Sequence, residues 1–134
     1  MIGAVDTRCR KIAAGAASES GTILGRLECP TAPAEGFSSA MRRTAEMLRV
    51  VSRQVGASYA GIGVACPGPL DPYAGIVGDV GTLPGWQGGN IVAELSGEVV
   101  VPVVVENDAD AATLAEVNWG SAKGSGRFIL GWLT

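Results

Sequence analysis

Val101-Pro-Val-Val-Val-Glu-Asn-Asp-Ala-Asp110 is a run of β-branched residues that ends abruptly in polar side chains. Val103, Val104 and Val105 are continuous rather than alternating with polar residues, so they read as a strand buried on both faces. Glu106, Asn107 and Asp108 then fall at its carboxyl end, which is where α/β sheets bind their ligands. Residues 109–119, Ala-Asp-Ala-Ala-Thr-Leu-Ala-Glu-Val-Asn-Trp, are rich in helix formers and predict a helix whose N-cap is Asp108 or the residue after it. A carboxylate at such a corner is a cap, a general base or both, and its type and spacing leave these open.

Outward from that strand the chain alternates in the same manner. Residues 2–5 and 11–17 read as strands, Ser18-Glu-Ser-Gly21 as a hairpin turn and residues 22–29 as a third strand, an antiparallel meander that Pro30 and Pro33 end. From residue 35 to 55 the apolar side chains of Phe37, Met41, Ala45, Leu48, Val51 and Val55 recur every three to four residues and predict an amphipathic helix closed by Gly56. Its arginines, Arg42, Arg43, Arg49 and Arg53, read as the wet face. Residues 59–65 make a fourth strand, in which Gly61 and Gly63 imply close approach of a neighbour. Residues 67–89 are loop, punctuated by Pro and Gly, with a short ribbon at Ile76 and Val77. A short helix over 91–95 ending at Gly97 precedes the fifth strand. Residues 120–126 read as a connector, and 128–134 as the start of a further strand.

Composition bounds the function. The 134 residues, 47% hydrophobic and 17% charged, describe a folded chain with one core. A net charge of -3 gives no electrostatic reason to expect nucleic acid or an anionic membrane, and no apolar run approaches the ~20 residues of a spanning helix. No signal peptide is visible. Cys9, Cys29 and Cys66 are widely spaced in a chain with no histidine, which argues against a metal-ligand cluster and for a reducing, cytoplasmic compartment.

Three blocks, Gly61-Ile-Gly-Val-Ala-Cys-Pro-Gly-Pro-Leu70, Leu83-Pro-Gly-Trp86 and Val103-Val-Val-Glu-Asn-Asp-Ala-Asp-Ala-Ala-Thr-Leu-Ala-Glu116, together resemble the ROK family of sugar kinases and repressors. The resemblance implies a ribonuclease H-like, actin-like ATPase half-domain of α/β class. Its sheet is mixed and five-stranded, with the second strand antiparallel to the rest and helices on both faces. The implied activity is ATP-dependent phosphorylation of a hexose such as glucose, with Mg accompanying ATP. Asp108 would be the catalytic base. Gly68, Thr82, Asn107 and Asp108 would contact the sugar, and Asp6 and Lys11 would lie on the nucleotide side. Residues 1–125 would form the half-domain, and 126–134 the start of a second.

Departures from the family pattern are as informative. Where related kinases have Asp-x-Gly-Gly-Thr-Lys, this chain has Asp6-Thr-Arg-Cys-Arg-Lys11, which puts bulky side chains in the space of the phosphates and points to weakened ATP binding. The two arginines can still attract phosphate by charge. Thr82 stands where the family commonly has an Asn. The family's cysteine-rich zinc motif has no counterpart, and neither does the DNA-binding helix-turn-helix of its repressor members. A chain lacking the second domain is expected to be inactive alone, and its uncovered 128–133 strand to promote a homo-oligomer. The alternative reading is a degenerate, non-catalytic module kept for binding or self-association.

Overall fold

The structure is a computed structural model that describes residues 1–107. The helix expected over 109–119, the connector over 120–126 and the strand over 128–134 lie outside the described residues. The described elements are β1 (Ile2–Thr7), β2 (Lys11–Ala17), β3 (Ile23–Pro30), α1 (Phe37–Val55), β4 (Gly61–Cys66), β5 (Leu70–Asp71), β6 (Ile76–Val77), α2 (Ile91–Glu98) and β7 (Val103–Asn107), with a single 3-10 turn at Pro33–Glu35.

The main sheet has five strands in the order β3-β2-β1-β4-β7. β2 is antiparallel to both β1 and β3, while β1, β4 and β7 run parallel. This is the mixed sheet with a reversed second strand that the resemblance implies. A type of turn the sequence announces joins β2 to β3: the Ser18 N–H donates to Thr22 O and the Gly21 N–H to Ser18 O, with Gly21 at φ 91°. Pro30 ends the meander as the last residue of β3, an outer strand of the described sheet where a missing N–H is tolerated.

Alternation sorts the sheet into two faces. Val5, Ile12, Ala14, Ile62, Val64, Val103 and Val105 share one core with Met41, Ala45 and Leu48 of α1 and Ile91 and Leu95 of α2. Each large apolar side chain buried there stabilises the fold by about 1.5–3 kcal/mol relative to exposure. The opposite face carries Ile2 beside a row of small residues, Ala4, Ala13, Gly15, Ala17, Gly61, Gly63 and Ala65, all buried. Both described helices contact one another and pack on the first face. β7 is an outer strand of the described sheet, so the expectation of burial on both faces holds only in part: Val103 and Val105 are buried, whereas Val104 is half-buried.

α1 starts at Phe37, after Gly36 at φ 93°, rather than at residue 35, because Pro33 and Glu35 are taken up in the preceding 3-10 turn. Gly56 closes it in the left-handed conformation (φ 77°, ψ 30°), its N–H bonded to Ser52 O. α2 is capped by Asn90, whose side chain accepts from the Ala93 N–H at 2.9 Å, and it continues through Gly97 to Glu98. Trp86 is fully buried, and its ring meets Phe37 edge-on at 5.3 Å. Gly89 lies under the same Phe37 ring.

A Cβ at Gly89 would come within 2.8 Å of that ring. Gly89→Ala is therefore expected to destabilise the chain by about 1–3 kcal/mol in urea unfolding, the usual cost of overpacking. An unchanged midpoint would show that Phe37 is not fixed against this loop.

Candidate functional site at the carboxyl edge of the sheet

Parallel register brings three strand ends to one edge. Asp6 of β1 pairs with Ala65 of β4, and Ala65 pairs with Glu106 of β7, so the three lie in one row across the sheet. Neighbouring strands are about 4.8 Å apart, which puts the Asp6 and Glu106 backbones roughly 10 Å from each other on the same face. One residue further on, Cys66 pairs with Asn107. The chain leaves β4 at this edge through Pro67-Gly68-Pro69, in which Gly68 is exposed. Gly68 and Asn107 thus both lie at this edge. Asp108, the expected base, follows Asn107 directly and lies outside the described residues.

Thr7 locks the edge in place. It is fully buried, and its hydroxyl donates to Ala65 O at 2.9 Å, joining the end of β1 to the end of β4 by a side chain as well as by the ladder. Beyond Pro69 the short ribbon of β5 and β6 fixes the next loops. The Gly78 N–H donates to Pro69 O at 2.9 Å, and a Cβ at Gly78 would sit 2.8 Å from that oxygen, so the close approach requires glycine. The Val77 N–H bonds Gly89 O, and the Gly88 N–H bonds Val77 O. Thr82 projects from this second loop and is exposed, between buried Val80 and Leu83. Trp86 is not a screen over the edge. It packs wholly in the core, with its indole Nε1 unpartnered among the described residues.

Asp6 and Lys11 share a sheet face but bind different partners. The Asp6 side chain is almost wholly buried and meets Arg8 Nε at 2.9 Å. Lys11 instead reaches Glu28 at 2.7 Å, on the β3 side of the sheet, where Arg26 binds the same carboxylate at 2.8 Å. The hydrogen bonds from Arg26 and then Lys11 hold the Glu28 carboxyl down at about 2. Between these two pairs, residues 8–10 form the turn from β1 to β2, closed by an Arg8 N–H bond to Lys11 O at 3.0 Å.

Three residues important to this edge carry little signal in the sequence: Thr7, Thr31 and Arg43. Arg43 is not simply part of the wet face of α1. Its guanidinium donates to the backbone oxygens of Pro30 and Thr31, the latter at 2.8 Å. An open groove of about 410 Å³ lies at the other end of the sheet, lined by Arg49, Arg53, Tyr59, Glu98 and Val101 among others, and none of the expected site residues lines it. Among the described residues no three acidic or cysteine side chains gather as a metal site, and no helix is long and apolar enough to cross a membrane.

Comparison with known proteins places this edge in context. Residues 2–133 match the ROK family, and the chain belongs to it. It is 33% identical over 125 residues to a glucokinase of Thermotoga maritima, covering 93% of this chain and 39% of that protein. Among solved structures, the ROK hexokinase of Thermus thermophilus superposes with a TM-score of 0.74 at 34% identity, over 86% of this chain and 37% of that one. A ROK glucokinase of Streptomyces griseus, solved in complex with glucose and AMPPNP, superposes with a TM-score of 0.73 at 28% identity, over 89% of this chain and 36% of that one. The fold is the actin-like ATPase fold of these kinases, and the chain spans under two-fifths of the length of each of these three relatives.

The Glu28 pairing predicts a pH dependence. Its carboxyl lies at about 2 in the folded chain against an ordinary 4.5, so the pairing stabilises fully above the unfolded value. That contribution fades as pH falls from 4.5 through about 2. A carbon-detected titration of Glu28 should give a midpoint near 2 in the parent chain, rising toward the ordinary value in Arg26→Ala. An ordinary midpoint in the parent would mean that the triad does not form in solution.

Proposed function

We propose that this chain supplies the sugar-facing part of an ATP-dependent hexose kinase, glucose being the first candidate, and that it does not turn over alone. The observation that carries this reading is the row of strand ends, Asp6, Ala65 and Glu106, with Gly68 and Asn107 one step beyond it. In this proposal the Gly68 backbone and the Asn107 amide bind sugar hydroxyls, with Thr82 offering a hydroxyl in place of the amide common in the family. Asp108 accepts the proton of the attacking hydroxyl as its oxygen bonds to the terminal phosphorus of ATP, and ADP leaves. A carboxylate suits this step because the hydroxyl becomes a competent nucleophile only as its proton departs.

The nucleotide side would be formed by Asp6, Lys11 and the turn between them. The fit with a phosphate chain rests on this turn: Cys9 and Arg10 are exposed, and two of the three turn residues are arginine. Bound MgATP would supply the transferable phosphoryl group. Mg is held mainly by phosphates and water rather than by a protein cage, so an acidic cluster is not required. The chain spans under two-fifths of the length of these relatives, so in this proposal the whole reaction takes more residues than it supplies. Residues 1–125 would act as one half and 126–134 lead into a second half. Closure of two halves is what excludes water and commits substrate in kinases of this kind. Cytoplasmic location and self-association of the chain belong to the same proposal.

A second reading, a non-catalytic module kept for binding or self-association, draws on one specific observation. The glycines of the family's phosphate turn are replaced by Arg8 and Cys9, and Lys11 is committed to Glu28.

Glucose titrated into the isotopically labelled chain should move the amide resonances of Gly68, Thr82 and Asn107 together, and a coupled assay with ATP should show no turnover. Shifts confined to the groove around Tyr59 would exclude the sugar-facing reading. Turnover that disappears in Asp108→Ala would instead show that the chain is a complete enzyme.

A further inference from the structure

The turn that replaces the glycine loop is held from behind by two residues outside it. Thr31 is fully buried, and its hydroxyl donates to Arg8 O at 2.5 Å while its N–H donates to Arg10 O at 3.0 Å. Both contacts are to carbonyls of the β1–β2 turn. Thr31 is fixed in turn by Arg43, which grips the oxygens of Pro30 and Thr31 from the adjacent helix, and Ala32 beyond it adopts the left-handed conformation at φ 45°. A non-glycine residue is strained in that region, so the segment keeps its shape because its surroundings impose it.

Peptide planarity then decides which way the turn faces. C=O and N–H of a trans peptide point in opposite directions. With the Arg8 carbonyl turned inward onto Thr31, the Cys9 N–H is turned outward. Among the described residues no backbone carbonyl accepts from the N–H of Cys9 or of Arg10. A glycine loop reaches such an arrangement through its own conformational freedom. Here a buried hydroxyl and a guanidinium impose it on residues with side chains.

We propose that Thr31 and Arg43 are positioning residues that hold the Arg8–Cys9–Arg10 turn with its N–H edge and the Arg10 side chain presented to a phosphoryl donor. This rests on the reading of that turn as the phosphate-facing element. Neither residue touches the donor; each acts through the turn. In this arrangement the substitutions at the glycine positions do not abolish anion binding but transfer control of the turn to α1 and the segment after β3.

The test is titration of the isotopically labelled 134-residue chain with sodium tripolyphosphate, read at the backbone amides. In the parent chain the Cys9 and Arg10 resonances should shift saturably. Thr31→Val, which removes the hydroxyl and keeps the shape, should weaken binding roughly tenfold, the worth of one good hydrogen bond. Thr31→Ser should restore it to within about twofold on the same scale, which a loss of packing alone would not allow. Parent and Thr31→Val chains binding equally would overturn the positioning role. No shift in the parent chain would overturn the phosphate-facing reading beneath it. Should Thr31→Val fail to fold, Arg43→Lys reports on the same chain of bonds from the half-buried side, with a similar loss expected and equal binding again decisive against the role.

Discussion

The structure depends on the parallel register of β1, β4 and β7. Shifting any one of these strands by a single residue would move its side chains to the other face and separate Asp6, Ala65 and Glu106. Two features resist such a slip. Apolar side chains of Val5, Val64 and Val105 all point into one core beneath α1 and α2, and the buried Thr7 hydroxyl binds Ala65 O on the neighbouring strand. The edge at which three loops emerge is therefore a consequence of packing on the face below it.

Chemistry at that edge divides into two parts that differ in how they are held. Gly68 and Thr82 lie on loops tied to the short ribbon by backbone bonds, with Gly78 and Gly89 leaving no room for a side chain. The β1–β2 turn is held by side chains instead: Arg8 on Asp6, Lys11 on Glu28, and Thr31 against the turn's own carbonyls. Exposed ion pairs such as Lys11–Glu28 contribute little individually. The buried Thr31 contacts carry more weight, since losing the hydroxyl would leave a carbonyl without its partner.

Much of this was legible in the sequence, for identifiable reasons. The α1 stripe from Met41 to Val51, the Gly56 cap and the Ser18–Gly21 turn follow from periodicity and glycine chemistry, which are local. The strand ending in Glu106 and Asn107 was legible because continuous valines followed by polar residues have few other readings. Family resemblance supplied the mixed sheet with its reversed second strand, while the strand order β3-β2-β1-β4-β7 is seen only in the structure. What escaped were contacts set by tertiary position. Arg43 looks like any solvated helical arginine until β3 is seen beside it. Thr31, between Pro30 and Ala32, gives no sign that it will bind two carbonyls of a turn more than twenty residues earlier. Nothing local to Trp86 says whether it screens the edge or packs in the core, and its complete burial against Phe37 decides for the core.

The account stands most directly on the claim that the turn at Cys9, the loop at Gly68 and the end of β7 at Asn107 share one edge. Cys9 is exposed and Cys66 buried, so a nitroxide can be placed on Cys9 once half-buried Cys29 is replaced by serine. Paramagnetic broadening should then fall on the amides of Gly68 and Asn107 and spare those of Ala60 and Val101 at the opposite end of the same strands. Broadening at Ala60 and Val101 with Gly68 and Asn107 untouched would contradict the register on which the site is built.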